Sequence, residues 1–163
     1  MVGVVHHTEC HIVMQAPQSP LDEEGAVYAN AEKPVPVLVV EDDVATRQVV
    51  RWVLEDEGYT VYEAPDGISA LERLRSSPQP LVVLLDWWMP GIDGLQVLRA
   101  LARDADVVRR NAYVLLTAVS DSARLRVVDM PPGVPVAVLG KPFDLDKLFA
   151  TVDRAAAGLR LGD

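Results

Sequence analysis

Residues Leu81–Leu85 are five apolar side chains in a row, stopped by Asp86. A run that short cannot form a buried helix of useful length, and it shows no polar alternation. It fits a strand covered on both faces, as in a parallel sheet. Val35–Val40 is a second run of this kind, and Tyr59–Glu63, Tyr113–Leu116 and Val134–Leu139 are weaker ones. Segments with helical spacing separate them. Asp43 can cap a helix running to about Glu57, with Val49, Val50, Val53 and Leu54 on one face and Gly58 as its stop. Asp66 opens a second helix carrying Ala70, Leu71 and Leu74, closed by Ser76-Ser77-Pro78. Asp93 caps a third with Leu95, Leu98 and Leu101, and Ser120–Asp129 predicts a short fourth. Asp144 caps the last, where Leu145, Leu148, Phe149 and Val152 follow the i, i+3, i+4, i+7 pattern. Strands alternating with helices in this way require βαβ crossovers. The expected class is α/β, with five parallel strands and five helices.

Charge narrows the function. The chain has 163 residues and a formal net charge of −9, which disfavours binding to a phosphate backbone. No direct nucleic-acid partner is expected. No apolar run approaches the ~20 residues a membrane helix needs, so no membrane partner is expected either. Cys10 is the single cysteine, which excludes an internal disulfide and suits a reducing, cytoplasmic setting. The first 34 residues hold five acids, one lysine, Pro17, Pro20, Gly25 and Pro34, without a sustained period. They read as a flexible N-terminal extension over residues 1–34, followed by a domain over residues 35–160. His6, His7, Cys10 and His11 are metal-ligand types, but no second cluster completes a tetrahedral site, so they read as part of a solvated tail.

Parallel sheets carry their chemistry at the carboxyl ends of the strands. Those ends hold Glu41, Asp42 and Asp43, then Asp86, then Thr117, then Lys141. Carboxylates gathered there repel one another unless a cation neutralises them. Oxygen donors with few carboxylates suit Mg²⁺, which keeps waters and takes further ligands from a phosphate. Lys141 would be a point charge for a bound anion, and the Thr117 hydroxyl a hydrogen-bond donor to it. The set asks for a divalent metal and a phosphoryl group, with Asp86 as nucleophile.

Val37-Leu-Val-Val-Glu-Asp-Asp43, Leu84-Leu-Asp86, Met89-Pro-Gly-Ile-Asp-Gly94, Leu115-Leu-Thr-Ala118 and Lys141-Pro-Phe143 together resemble the receiver domain of bacterial two-component response regulators. The resemblance covers residues 35 to about 158 and keeps the family's motif order. It implies a doubly wound, flavodoxin-like sheet in the order 2-1-3-4-5. It implies Asp86 as phosphoacceptor, with Glu41 and Asp42 as the acidic pair around Mg²⁺. Asp86 and the Trp88 backbone carbonyl would also bind the metal, and Thr117 and Lys141 would contact the phosphoryl oxygens. A cis Lys141-Pro142 bond and a tight turn at Gly91 and Gly94 are further implications. The implied partners are a sensor histidine kinase or phosphotransfer protein, as phosphoryl donor, and an unnamed output protein. On this resemblance the chain is no enzyme beyond its own phosphoryl transfer and dephosphorylation. With only 22 residues after Lys141, the expectation is a single-domain regulator signalling by phosphorylation-dependent binding.

Three positions depart from the family pattern. Trp88, two residues beyond Asp86, replaces a smaller side chain. Val138 stands three residues before Lys141, where the family has its switch aromatic. Asp129-Met-Pro-Pro-Gly133 replaces the usual exit of the fourth helix, and its two prolines stiffen it. Val138 and that loop motivate an alternative, a receiver-fold interaction module that works without phosphorylation. An aspartyl-nucleophile phosphatase would want a second acid two residues beyond the nucleophile, and Trp88 is there instead.

Overall fold

The computed structural model describes residues 35–118 and 130–160. The extension expected over 1–34, with His6, His7, Cys10 and His11, lies outside the described residues, as does the helix expected over Ser120–Asp129. The elements run β1 (Val37–Val40), α1 (Val44–Asp56), β2 (Val61–Ala64), α2 (Gly67–Ser76), β3 (Val82–Asp86), α3 (Gly94–Leu101), α4 (Ala105–Arg110), β4 (Ala112–Ala118), β5 (Val136–Lys141) and α5 (Leu145–Arg160). All strand pairs are parallel, in the order β2-β1-β3-β4-β5.

Alternation along the strands divides the apolar side chains between two layers. Leu38, Val40, Val83, Leu85 and Leu115 pack with Ala70 and Leu74 of α2 and Val97, Leu98 and Leu101 of α3. Val37, Val39, Val82, Leu84, Val114 and Leu116 pack with Val50 and Leu54 of α1 and Leu148, Val152 and Ala156 of α5. Helices on both faces are what short, wholly apolar central strands demand.

The predicted caps are present. Asp43, Asp66 and Asp144 accept the backbone N–H of Thr46, Ser69 and Lys147 at 2.7 Å each. Asp93 forms a reciprocal capping box with Gln96, at 2.8 and 3.0 Å. The hydrogen bonds from Thr46, Ser69 and Lys147 hold the Asp43, Asp66 and Asp144 carboxyls below the usual carboxylate range.

Two features differ from the sequence expectation. Helical spacing places Val49 on the buried face of α1, yet it is 54% exposed, because Val50 and Leu54 are the residues of this helix that become buried. Residues Ala105–Arg110 form a short helix that the periodicity does not separate. Its signal is local: Asp104 accepts the Val107 N–H at 3.2 Å, and Val107 and Val108 are buried. Strand limits shift by at most two residues at either end. As implied, Lys141-Pro142 is cis.

The strand order reverses between β1 and β3, whose register pairs Val40 with Leu85. The next residues along the two chains, Glu41 just beyond β1 and Asp86 at the end of β3, therefore lie side by side at the switch point.

Candidate functional site

Asp86 is the last residue of β3, and its carboxylate is buried. Directly after β1 come Glu41, also buried, and Asp42, exposed. Each offers an oxygen to a group lying within 4.8 Å of one another. Lys141, the last residue of β5, reaches them from the sheet edge. Its Nζ donates to Glu41 Oε2 at 2.8 Å and to Asp86 Oδ1 at 2.9 Å. Asp43 is not free to join, because its carboxylate caps α1. The run of three acids thus presents two carboxylates to the site.

Burial pushes the Asp86 carboxyl above its ordinary value, and the charge of Asp42 adds to the rise against the opposing pull of Lys141. Burial likewise raises Glu41, with Lys141 opposing and Asp86 reinforcing. Burial works against the charge of Lys141, but its bonds to Glu41 and Asp86 outweigh this and lift it above the usual lysine value. One ammonium therefore does not fully compensate the acids around it. Three oxygen donors at this spacing, two of them reluctant to hold charge alone, fit a hard divalent cation such as Mg²⁺. Among the described residues this is the group of acids so arranged.

The acids and Lys141 open into a cleft of about 590 Å³, bordered also by Trp87, Trp88 and Ala118. Trp87 packs against the apolar layer of α2 and α3, whereas Trp88 is 75% exposed. Close packing shapes the loop between them and α3. A Cβ on Gly94 would lie 2.6 Å from the Asp86 carbonyl oxygen and 3.2 Å from the Trp87 Cα, so only glycine fits. Gly91 turns the same loop with φ 82°. A larger hollow, about 680 Å³, lies at the amino ends of β4 and β5 against α5, remote from these acids and mainly apolar.

The response regulator receiver domain family matches residues 37–153. The chain belongs to that family. This receiver is 37% identical over 129 residues to response regulator MprA of Mycobacterium ulcerans, covering 79% of this chain and 53% of that protein. It is 38% identical over 116 residues to the phosphate regulon transcriptional regulatory protein PhoB of Klebsiella pneumoniae, covering 71% and 49%. The chain spans about half the length of the curated relatives it matches. Among solved structures, a CheY-like receiver from Methanospirillum hungatei JF-1 aligns with TM-score 0.66 and 30% identity, over 77% of this chain and 96% of that one.

Of the residues singled out in the sequence, Glu41, Asp42, Asp86 and Lys141 come together in the receiver's cleft. Thr117 is 1% exposed at the end of β4, and its hydroxyl donates to the Ala118 carbonyl at 3.3 Å. It is Ala118 that borders the cleft. Val138 is 51% exposed on β5. Sequence reasoning missed Arg47, which donates to the Glu41 carbonyl at 2.7 Å. Its signal was faint: a cation one turn into the helix that follows the acidic pair. No helix of the described residues is long and apolar enough to cross a membrane.

Proposed function

We propose that residues 35–160 act as a phosphoaccepting receiver, with Asp86 taking a phosphoryl group from a phosphohistidine on a sensor histidine kinase or phosphotransfer protein. The observation that carries this reading is the buried Asp86 carboxylate, 2.9 Å from the Lys141 ammonium and grouped with Glu41 and Asp42. A structural ion pair would have no use for two further carboxylates beside it. An Asp86 oxygen attacks phosphorus, the P–N bond to the donor imidazole breaks, and an acyl phosphate results. Such a transfer goes through a loose transition state, so positioning and charge neutralisation supply most of the catalysis. Glu41, Asp42, Asp86 and the Trp88 backbone carbonyl would hold Mg²⁺, which supplies charge neutralisation for the phosphoryl oxygens. Lys141 neutralises the incoming anion, and the Thr117 hydroxyl, bonded here to the Ala118 carbonyl, turns from it to donate to the phosphoryl oxygens. The acyl phosphate adds about −2 charge at that edge. It biases the protein toward a form that binds an output protein.

Trp87 and Trp88 border the cleft, so intrinsic fluorescence reports on it. Mg²⁺ is expected to change the emission, and acetyl phosphate added afterwards to change it again, with incorporation of one phosphate. A signal flat to both additions overturns the reading. Val138, exposed where receivers carry an aromatic switch residue, favours a second reading in which the fold binds partners without phosphorylation. Binding of the output protein with equal affinity before and after phosphorylation would establish that reading.

Trp88 has a separate consequence. Its indole stands at the mouth of the cleft and restricts attack by water on the acyl phosphate. Trp88→Asn is expected to speed loss of the phosphoryl group, because a smaller amide at the cleft mouth admits water more readily. An unchanged decay rate of the labelled protein removes the indole's role.

A further inference from the structure

We propose that Arg47 is a positioning residue for the magnesium site, its guanidinium locked by Glu63 so as to fix the backbone from which Glu41 and Asp42 project. The inference rests on the phosphoacceptor reading of Asp86 and adds a residue to it. Arg47 lies one turn into α1, its backbone N–H donating to the Asp43 carbonyl at 2.9 Å. Its side chain turns back toward the sheet and is only 13% exposed. Nη1 donates to the Glu41 carbonyl at 2.7 Å and lies 3.5 Å from the Asp42 carbonyl. Nε donates to Glu63 Oε1 at 3.2 Å. Glu63 sits on β2, paired in register with Val39 of β1, and its other oxygen accepts from Arg51 at 2.9 Å. Arg51 is held in turn by Glu55 at 2.8 Å.

The placement answers a local need. The Glu41 N–H still pairs with the Ala64 carbonyl of β2 at 3.2 Å, but the chain then leaves the sheet. Its next carbonyls need donors from elsewhere. A planar guanidinium supplies them in a fixed fork, and Glu63 removes the fork's remaining freedom. The two acids expected to hold the metal are thus braced from behind by a partner that never enters the cleft. Such supporting hydrogen bonds around a metal ligand are worth about 10–100-fold in affinity.

Charge and positioning predict opposite signs here. A cation beside an acidic cluster opposes Mg²⁺ by Coulomb repulsion, so a purely electrostatic Arg47 would make its removal tighten the metal. A brace makes its removal loosen it. The test is a Mg²⁺ titration of the 163-residue chain followed by tryptophan emission. Arg47→Met is expected to raise the Mg²⁺ dissociation constant by about 10–100-fold. Arg47→Lys keeps the charge without the fork and is expected to lose affinity to a similar degree, which charge alone cannot explain. With acetyl phosphate as donor, the loss should fall on the Mg²⁺ dependence and disappear at saturating Mg²⁺. Equal or tighter Mg²⁺ binding by Arg47→Met overturns the proposal, as does a maximal rate that stays depressed at saturating Mg²⁺. If Arg47→Met does not fold, Arg47→Lys decides alone, and wild-type affinity in that variant overturns the brace. Absence of any Mg²⁺ response in the unaltered chain removes the phosphoacceptor reading itself. A normal response there, matched by the variants, removes only the role of Arg47.

Discussion

Lys141→Met is expected to leave a folded but pH-sensitive protein that accepts phosphate some 10²–10³-fold more slowly, roughly the usual cost of losing one preorganised group at a reacting oxyanion. The ammonium is bonded to both Glu41 and Asp86, which are otherwise buried beside each other. Methionine fills similar space and removes the cation, so two carboxylates already raised by burial are raised further. Removing one partner of a buried pair costs about 3–5 kcal/mol when the other group stays charged. Here the acids can escape by taking up protons. Their folded values lie above their unfolded ones, so the penalty is full at alkaline pH. It fades as the pH falls through the folded values toward ~4, where the unfolded carboxyls also protonate. Denaturant titrations with chelator should show a large loss at pH 8 and a much smaller one at pH 5. A loss of stability equal at both pH values contradicts the ionic account of the site.

Asp86→Asn is expected to abolish phosphate incorporation and the fluorescence response to acetyl phosphate, because an amide oxygen cannot form the acyl phosphate. Its effect on stability carries more information. Burial raises the Asp86 carboxyl, so the folded state binds that proton more tightly than the unfolded chain does. Above the folded value the ionised group is therefore a burden, and the isosteric amide relieves it. The metal-free variant is expected to melt higher than the unaltered protein, a reversal of the usual sign for a point substitution. Mg²⁺ then reverses the order. At a hundred times its dissociation constant a ligand adds ~2.7 kcal/mol to a protein that binds it, and the substitution removes one of the three carboxylates. Melting curves with chelator and with saturating Mg²⁺ should cross. A variant less stable than its parent in chelator, or one equally stabilised by Mg²⁺, contradicts the acidic-site reading.

The fold could be read from the chain where its signals are local. Leu81–Leu85 needs no partner to declare itself a covered strand, and Asp66 with Ser69, or Asp93 with Gln96, carries its cap within four residues. The strand-end acids and Lys141 were also readable, since a parallel sheet brings successive strand ends to one edge. What escaped depends on tertiary placement. Helical spacing allows Val49 to share a face with Val50 and Val53, but the way α1 lies on the sheet exposes it. Asp104 and Val107 open a helix of only six residues, too short for periodicity to mark. Arg47 and Glu63 are 16 residues apart and meet because β2 lies beside β1, which no local pattern encodes. The Thr117 hydroxyl bonds to a neighbouring carbonyl, a rotamer choice that the residue type leaves open.

The division of the core by the sheet bears on how such a protein can change over generations. The side chains packed with α2 and α3 and those packed with α1 and α5 form separate clusters on opposite sides of the strands. A lineage can therefore redesign one layer, residue by compensating residue, while the other stays as it was. The acids and Lys141 of the cleft belong to neither, because they stand at strand ends beyond both, and among the cleft's tryptophans Trp87 leans on the α2 and α3 layer. Drift in either interior is thereby largely uncoupled from the chemistry, and one constellation of acids and lysine can persist through extensive remodelling beneath it.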